Sequence, residues 1–189
     1  SKGIANVIVY LRKAPANMPA NLKVAKDKEV VFDQKGCRYL PHILAVRTDQ
    51  TVKCISSDGV AHNVNITPLT NDSKNFIVPA NDKTGMTVKM TKPENLPVNV
   101  KCDIHSWMEA KWVVTDHPYV AVTDKDGKFK IEGLPDGEHS FTVWQEKSGY
   151  IERAYKVTVK AGAQTLPPLK VSADKFKKCL RDAPTHELN

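Results

Sequence analysis

Residues 102–108 read Cys-Asp-Ile-His-Ser-Trp-Met, and forty positions before Cys102 the chain reads Ala61-His62-Asn63-Val64. Two residues separate Cys102 from His105 and His105 from Met108, so one tight loop between strands can turn all three side chains toward a single point. His62 is too distant to belong to that loop and has to arrive from a neighbouring strand or loop. A chain that meets both conditions closes like a clasp over one centre.

These four side chains offer one thiolate, two imidazoles and one thioether. Structural zinc sites take four Cys or His ligands, usually announced by paired cysteines two to four residues apart, and no such pair occurs here. Two His and one Cys in a plane with a weak axial Met form the donor set of a type 1, or blue, copper centre. Soft sulfur suits Cu(I) and imidazole suits Cu(II), so a mixed site reorganises little when the metal changes oxidation state. The expectation is one copper ion on His62, Cys102, His105 and Met108, with single-electron transfer as its chemistry. Taken singly, a buried Cys or Met reads as core packing; the combination points to a metal.

The rest of the pattern is all-β. Residues 4–11 read as a buried strand that ends at Lys13-Ala14-Pro15. Short strands are predicted at 29–32, 39–46, 51–56, 61–66, 74–79, 86–90, 98–101 and 110–114. Residues 39–46 and 51–56 flank Arg47-Thr48-Asp49-Gln50 as a hairpin. Strands at this spacing argue for a Greek-key sandwich and against a helix bundle. Asp116-His117-Pro118 breaks the pattern and marks a boundary. Beyond it, strands are predicted at 120–123, 128–131, 140–144, 155–159 and 166–171. Asp124-Lys125-Asp126-Gly127 and Leu134-Pro135-Asp136-Gly137 supply the positive-φ glycines of tight turns between them. A short helical turn is expected after Ser172.

With 28 Lys and Arg against 21 Asp and Glu, the 189 residues carry a formal charge of +7. That charge reads as a solvated basic surface, or as steering toward an acidic partner. No basic helical face or aromatic-interleaved basic motif points to nucleic acid. No apolar run reaches the length of a membrane span, and the chain opens on a strand pattern without a signal peptide, as a processed form of an exported protein would. No nucleophile triad, paired-carboxylate or phosphate-loop motif gives a warrant for an enzyme. Setting Cys102 aside leaves Cys37, Cys54 and Cys179, an odd number whose pairing stays open.

Residues 41–52 (Pro-His-Ile-Leu-Ala-Val-Arg-Thr-Asp-Gln-Thr-Val), 58–64 (Asp-Gly-Val-Ala-His-Asn-Val) and 100–108 (Val-Lys-Cys-Asp-Ile-His-Ser-Trp-Met) resemble cupredoxins, and the short ligand loop is similar to that of amicyanins. The whole chain resembles secreted, plastocyanin-like bacterial proteins of the methylamine-utilisation type found in planctomycetes. In that family a cupredoxin is joined to a carboxypeptidase-regulatory-like, or transthyretin-like, β-sandwich, which Thr123-Asp124-x-Asp126-Gly127-x-Phe129 and Leu134-Pro135-x-Gly137 also resemble. The implied fold is a Greek-key cupredoxin sandwich plus a second, smaller β-sandwich. The implied domains are a cupredoxin over 20–116, inserted into a sandwich made of 1–15 with 117–172, and a tail over 173–189. Family relatives carry more chain ahead of the counterpart of Ser1, often with a cysteine that would suit Cys179.

The resemblance implies His62, Cys102, His105 and Met108 as copper ligands. Asn63 corresponds to the residue that ties the two ligand segments together around the sulfur. Ser106 departs from the proline that relatives often carry; it restores an N–H that can alter sulfur hydrogen bonding and potential. Trp107 reads as a rim aromatic for partner docking, or as a ring packed between the domains, and His105 as the exposed ligand edge. His42 and His117 read as structural, Asp124 and Asp126 as turn residues rather than calcium ligands, and His139, His186, Met86 and Met90 show no partner at convincing spacing. The implied function is an exported, periplasmic or extracellular carrier of single electrons, not an enzyme. Its partners would be redox proteins such as a c-type cytochrome or an oxidoreductase, bound weakly and transiently. A copper-binding or cell-surface structural module is the alternative; a copper enzyme would need the open coordination position that four protein donors deny.

Overall fold

The computed structural model describes residues 3–176. The chain forms two compact units, one of Ser1–Leu11 with Ala121–Asn189 and one of Arg12–Val120. It therefore leaves the first unit after β1 (Ile8–Leu11), runs through the whole of the second, and returns. Among the described residues the structure is all-β apart from a 3-10 turn at Ala20–Leu22 and a helical turn that begins at Asp174. No helix there is long and apolar enough to cross a membrane. The tail's Lys177, Lys178, Cys179 and His186 lie outside the described residues.

The Arg12–Val120 unit holds β2 (Glu29–Gln34), β3 (Tyr39–Leu40), β4 (Ile43–Arg47), β5 (Thr51–Ser56), β6 (His62–Thr67), β7 (Lys74–Val78), β8 (Met86–Val88), β9 (Val98–Lys101) and β10 (Glu109–Thr115). They form a five-stranded sheet in the order β4-β10-β9-β6-β7 and a four-stranded sheet in the order β3-β2-β5-β8. β4 and β10 run parallel, as do β2 and β5, and the other neighbours are antiparallel. Alternation selects the inner faces: Val52, Cys54 and Ser56 of β5 are buried, as are Val98 and Val100 of β9. Between them lies one core in which Phe32 stacks on Tyr39 at 4.9 Å and meets Trp112 edge-on at 5.2 Å. Offset and edge-to-face aromatic pairs of this kind are the favoured arrangements.

Arg47-Thr48-Asp49-Gln50 does form a tight turn, closed by Gln50 N–H to Arg47 O at 2.9 Å. It is not a hairpin turn, however, because β4 and β5 lie in different sheets. Each strand presents buried apolar residues to the same core from opposite sides, β4 through Leu44 and Val46 and β5 through Val52 and Cys54.

In the other unit β11 (Val120–Val122), β12 (Gly137–Gln145) and β13 (Gly149–Val159) join β1 in one sheet, order β11-β1-β12-β13. Val9 pairs with Val143, and Val7 N–H reaches Thr123 Oγ1 at 2.9 Å. Two expected strands are absent among the described residues. Residues 128–131 belong to no strand and are largely exposed, and 166–171 contain Pro167-Pro168, which cannot donate to a ladder. The Asp124–Gly127 turn is built by Asp124 Oδ1, which accepts N–H bonds from Asp126 and Lys128 at 2.9 Å each. That is turn chemistry.

Candidate metal centre

β9 and β10 pair antiparallel, with Lys101 opposite Glu109, so residues 102–108 have to turn back within one short loop. Cys102 N–H bonds to Met108 O at 3.1 Å and Met108 N–H to His105 O at 2.9 Å, which winds the loop tightly. β6 pairs antiparallel with β9 through Asn65 and Lys101. Continued by three residues, that register brings His62, the first residue of β6, level with the loop. Two adjacent strands of one sheet thus deliver residues forty positions apart.

His62 Nδ1 lies 3.0 Å from His105 Nδ1, and Cys102 Sγ lies 3.8 Å from the same His105 atom. One donor atom from each of His62, Cys102 and His105 falls within 4.8 Å of the others. His62 and Cys102 are buried and His105 is half-buried. Met108 is buried at the foot of the loop. The sulfur of Cys102 accepts amide N–H bonds from His105 at 3.4 Å and from Asn63 at 3.5 Å. Two amides aimed at one sulfur suit a thiolate, the form that binds metals. Ser106 sits exposed at the loop's tip, so the sulfur's two amide donors are its neighbours in space and not Ser106.

The proton positions follow from the partners. His62 Nε2 lies 2.8 Å from Asp58 Oδ2. Burial pushes the Asp58 carboxyl up, but the amides of Cys37 and Gly36 and the His62 ring outweigh it and hold it below its ordinary value. An ionised Asp58 can only accept, so a neutral His62 donates to it from Nε2 and leaves the Nδ1 lone pair facing His105 and Cys102. Two ring nitrogens 3.0 Å apart match a pair sharing one ion at about 2.0–2.1 Å each. The residues present fit a soft or borderline metal ion.

Two further groups brace the site. Asn63 holds the loop through Asp103 N–H to Asn63 Oδ1, and its Nδ2 donates to Asp103 Oδ2 at 3.1 Å and to Asn75 Oδ1 at 2.7 Å. Asn65 and Asn75 also donate to the Asp103 carboxylate, and Lys101 pairs with it at 3.3 Å. The Asn65 bond, followed by those of Asn63 and Asn75, holds the Asp103 carboxyl low. On the inner side, Tyr39 Oη donates to Asn63 O at 2.5 Å. Burial first, then the sulfurs of Cys102 and Cys54, push its phenol far above its ordinary value, so it stays a neutral donor.

Trp107 is 68% exposed, its ring 5.2 Å from that of His105, and Ile104 and Val60 are exposed as well. The remaining histidines of the described residues are tied to backbone. His42 Nδ1 donates to Glu109 O, His139 Nε2 donates to Pro135 O, and His117 Nδ1 accepts Tyr119 N–H. Cys37, Cys54 and Cys102 are free thiols among the described residues, and burial pushes that of Cys54 up to about 12. Asp58, Asp103, Asn65, Asn75 and Tyr39 were not singled out from the sequence. The one local signal was a carboxylate four residues before His62.

No protein-family model matches the chain, and no curated protein matches it. Among solved structures, a copper-containing nitrite reductase from Thermus scotoductus SA-01 is 20% identical over 46% of this chain and 22% of its own, with a TM-score of 0.37. The chain thus spans about a fifth of that reductase's length. Amicyanin from Paracoccus versutus is 17% identical over 56% of this chain and 96% of its own, at a TM-score of 0.39. An oxidised proline-to-glycine mutant of amicyanin is 20% identical over 51% of this chain and 95% of its own, at 0.40.

Proposed function

We propose that the Arg12–Val120 unit is a cupredoxin-type domain that holds one type 1 copper ion and carries single electrons between redox proteins. The observation that carries this reading is the pair of His62 and His105 Nδ1 atoms 3.0 Å apart beside the Cys102 sulfur, with the other His62 nitrogen 2.8 Å from Asp58 Oδ2. When bound, copper supplies a one-electron couple whose two states both accept a mixed sulfur and imidazole donor set. His62, Cys102 and His105 would hold it, with Met108 as the fourth donor.

The surrounding residues have their own tasks. Burial of His62, Cys102 and Met108 excludes water from the donors. The Asn63–Asp103 bonds keep the loop and β6 from separating, and the Tyr39 bond ties β6 to β3. Half-buried His105, beside exposed Trp107 and Ile104, is the edge through which electrons leave. A small apolar rim suits weak, transient docking to a c-type cytochrome or an oxidoreductase. Four protein donors leave no position for a substrate, so the protein is a carrier and not an enzyme, working in the periplasm or outside the cell. The other unit is a carboxypeptidase-regulatory-like module.

Loading the protein with Cu(II) should produce an intense visible charge-transfer band with one ion per chain. Cys102→Ala should abolish the band and Cys54→Ala should keep it. A colourless loaded protein, or a band lost only in Cys54→Ala, would overturn the reading.

A further inference from the structure

His62 faces the ligand loop with one ring nitrogen and Asp58 with the other, and Asp58 is itself held from outside the site. Its Oδ1 accepts Gly36 N–H at 2.6 Å and its Oδ2 accepts Cys37 N–H at 2.9 Å. Gly36 and Cys37 are consecutive residues with positive φ, 63° and 51°, in the turn between β2 and β3. Lys35 N–H to Arg38 O closes that turn at 2.9 Å. Consecutive left-handed residues match the twist of a hairpin, and their successive amides form a concave seat for an anion. A non-glycine residue at positive φ is uncommon, so Cys37 holds a conformation that most residues avoid. The same turn also touches the ligand loop, because Trp107 Nε1–H donates to Cys37 O at 3.3 Å.

Cys37, Asp58 and His62 also offer donor atoms within 4.8 Å of one another, as a second ion would require. Both Asp58 oxygens already accept N–H bonds, however. A cation there would have to displace the Nε2 proton and release the His62 ring. The geometry is that of a carboxylate standing behind a ligand histidine, where it fixes the tautomer and ring orientation and raises the basicity of the donor nitrogen.

We propose that Asp58, seated in the Gly36–Cys37 turn, is the positioning residue of the metal centre, holding His62 as the Nε2–H tautomer so that Nδ1 stands ready as a donor. This rests on the copper reading above and deepens it.

Two readouts on the full chain test it. In the metal-free protein, long-range 1H–15N correlation spectra should show His62 protonated at Nε2 and bare at Nδ1. Asp58→Ala should populate the Nδ1–H form, whereas Asp58→Asn, whose side-chain carbonyl still accepts the Nε2 proton, should keep the original tautomer. In chelator competition, Asp58→Ala should bind copper about 10–100-fold more weakly, and Asp58→Asn should lose less, with far-UV circular dichroism unchanged. Cys37→Ser should alter neither readout, since the turn contributes an amide and not its sulfur. The first readout needs no metal, so failure of the copper reading would appear in the visible band alone. An Nδ1–H His62 in the unaltered chain, or an unchanged tautomer in Asp58→Ala, would overturn the proposal. So would two ions per chain that fall to one in Cys37→Ser, which would mark the cluster as a second metal site.

Discussion

Glu94 is only 7% exposed, yet its carboxylate accepts bonds from the amides of Leu69, Thr70 and Asn71 and from Asn71 Nδ2, at 2.8–3.1 Å. Burial pushes its carboxyl up, but the Asn71 side chain and the three amides prevail and hold it below the ordinary 4.5. A carboxylate with a depressed folded-state pKa contributes stability that is complete above its unfolded value and lost as pH falls through the folded one. Glu94→Ala should therefore cost about 1–2 kcal/mol at neutral pH in denaturant unfolding, by taking a charged acceptor from three part-buried amides. The gap between variant and parent should close as pH drops below the ordinary carboxylate range. Trp107 poses a different question, since a 68% exposed indole is worth little to stability. Trp107→Ala should leave the visible band and unfolding midpoint nearly unchanged while slowing electron exchange with a redox partner. Unchanged exchange in stopped-flow would remove Trp107 from the docking rim.

At the scale of elements, the β9–loop–β10 hairpin carries three of the four expected donors, and β6 beside it carries the fourth. Asp103 rivets these elements, because Asn63 and Asn65 on β6 and Asn75 on β7 all donate to its carboxylate. Asp103→Ala should speed copper release to a chelator by roughly tenfold, through loss of the bonds that brace the ligand loop, while Asp103→Asn should recover part of the loss. Under the site, Trp112 of β10 is fully buried and meets Phe32 of the opposite sheet edge-on. Trp112→Ala should cost about 3–5 kcal/mol in chemical denaturation, the usual toll of deleting a buried indole. The β4–β5 turn shows what strand patterns leave open. Arg47 to Gln50 suits a hairpin and a crossing between sheets equally well, and the choice falls to which faces the core has room to bury.

For the whole molecule, the formal charge of +7 acts on encounter more than on fold, since opposite charges steer association and salt screens them. The rate of electron exchange with an acidic redox protein should fall as ionic strength rises from about 0.01 to about 0.15 M and the Debye length shrinks from about 30 to about 8 Å. A rate insensitive to salt would assign the charge to solvation alone. The chain order is a whole-molecule property too, since β1 pairs β12 although the Arg12–Val120 unit lies between them in sequence.

Local pattern carried the all-β class, because alternation along β5 and β9 reflects the two-residue pleat wherever one face is buried. It failed at 128–131 and 166–171, where a strand-like composition found no ladder to join. The spacing of Cys102, His105 and Met108 was likewise readable, since a short loop brings neighbours in sequence together. The sequence alone thus determined the candidate donor types, the strands that present them and the net charge. Only the tertiary structure decided that β4 and β5 part into different sheets, that Asp58 stands behind His62, and that three asparagines close on Asp103. Those arrangements join segments whose proximity depends on sheet register and core packing, and no local pattern encodes either.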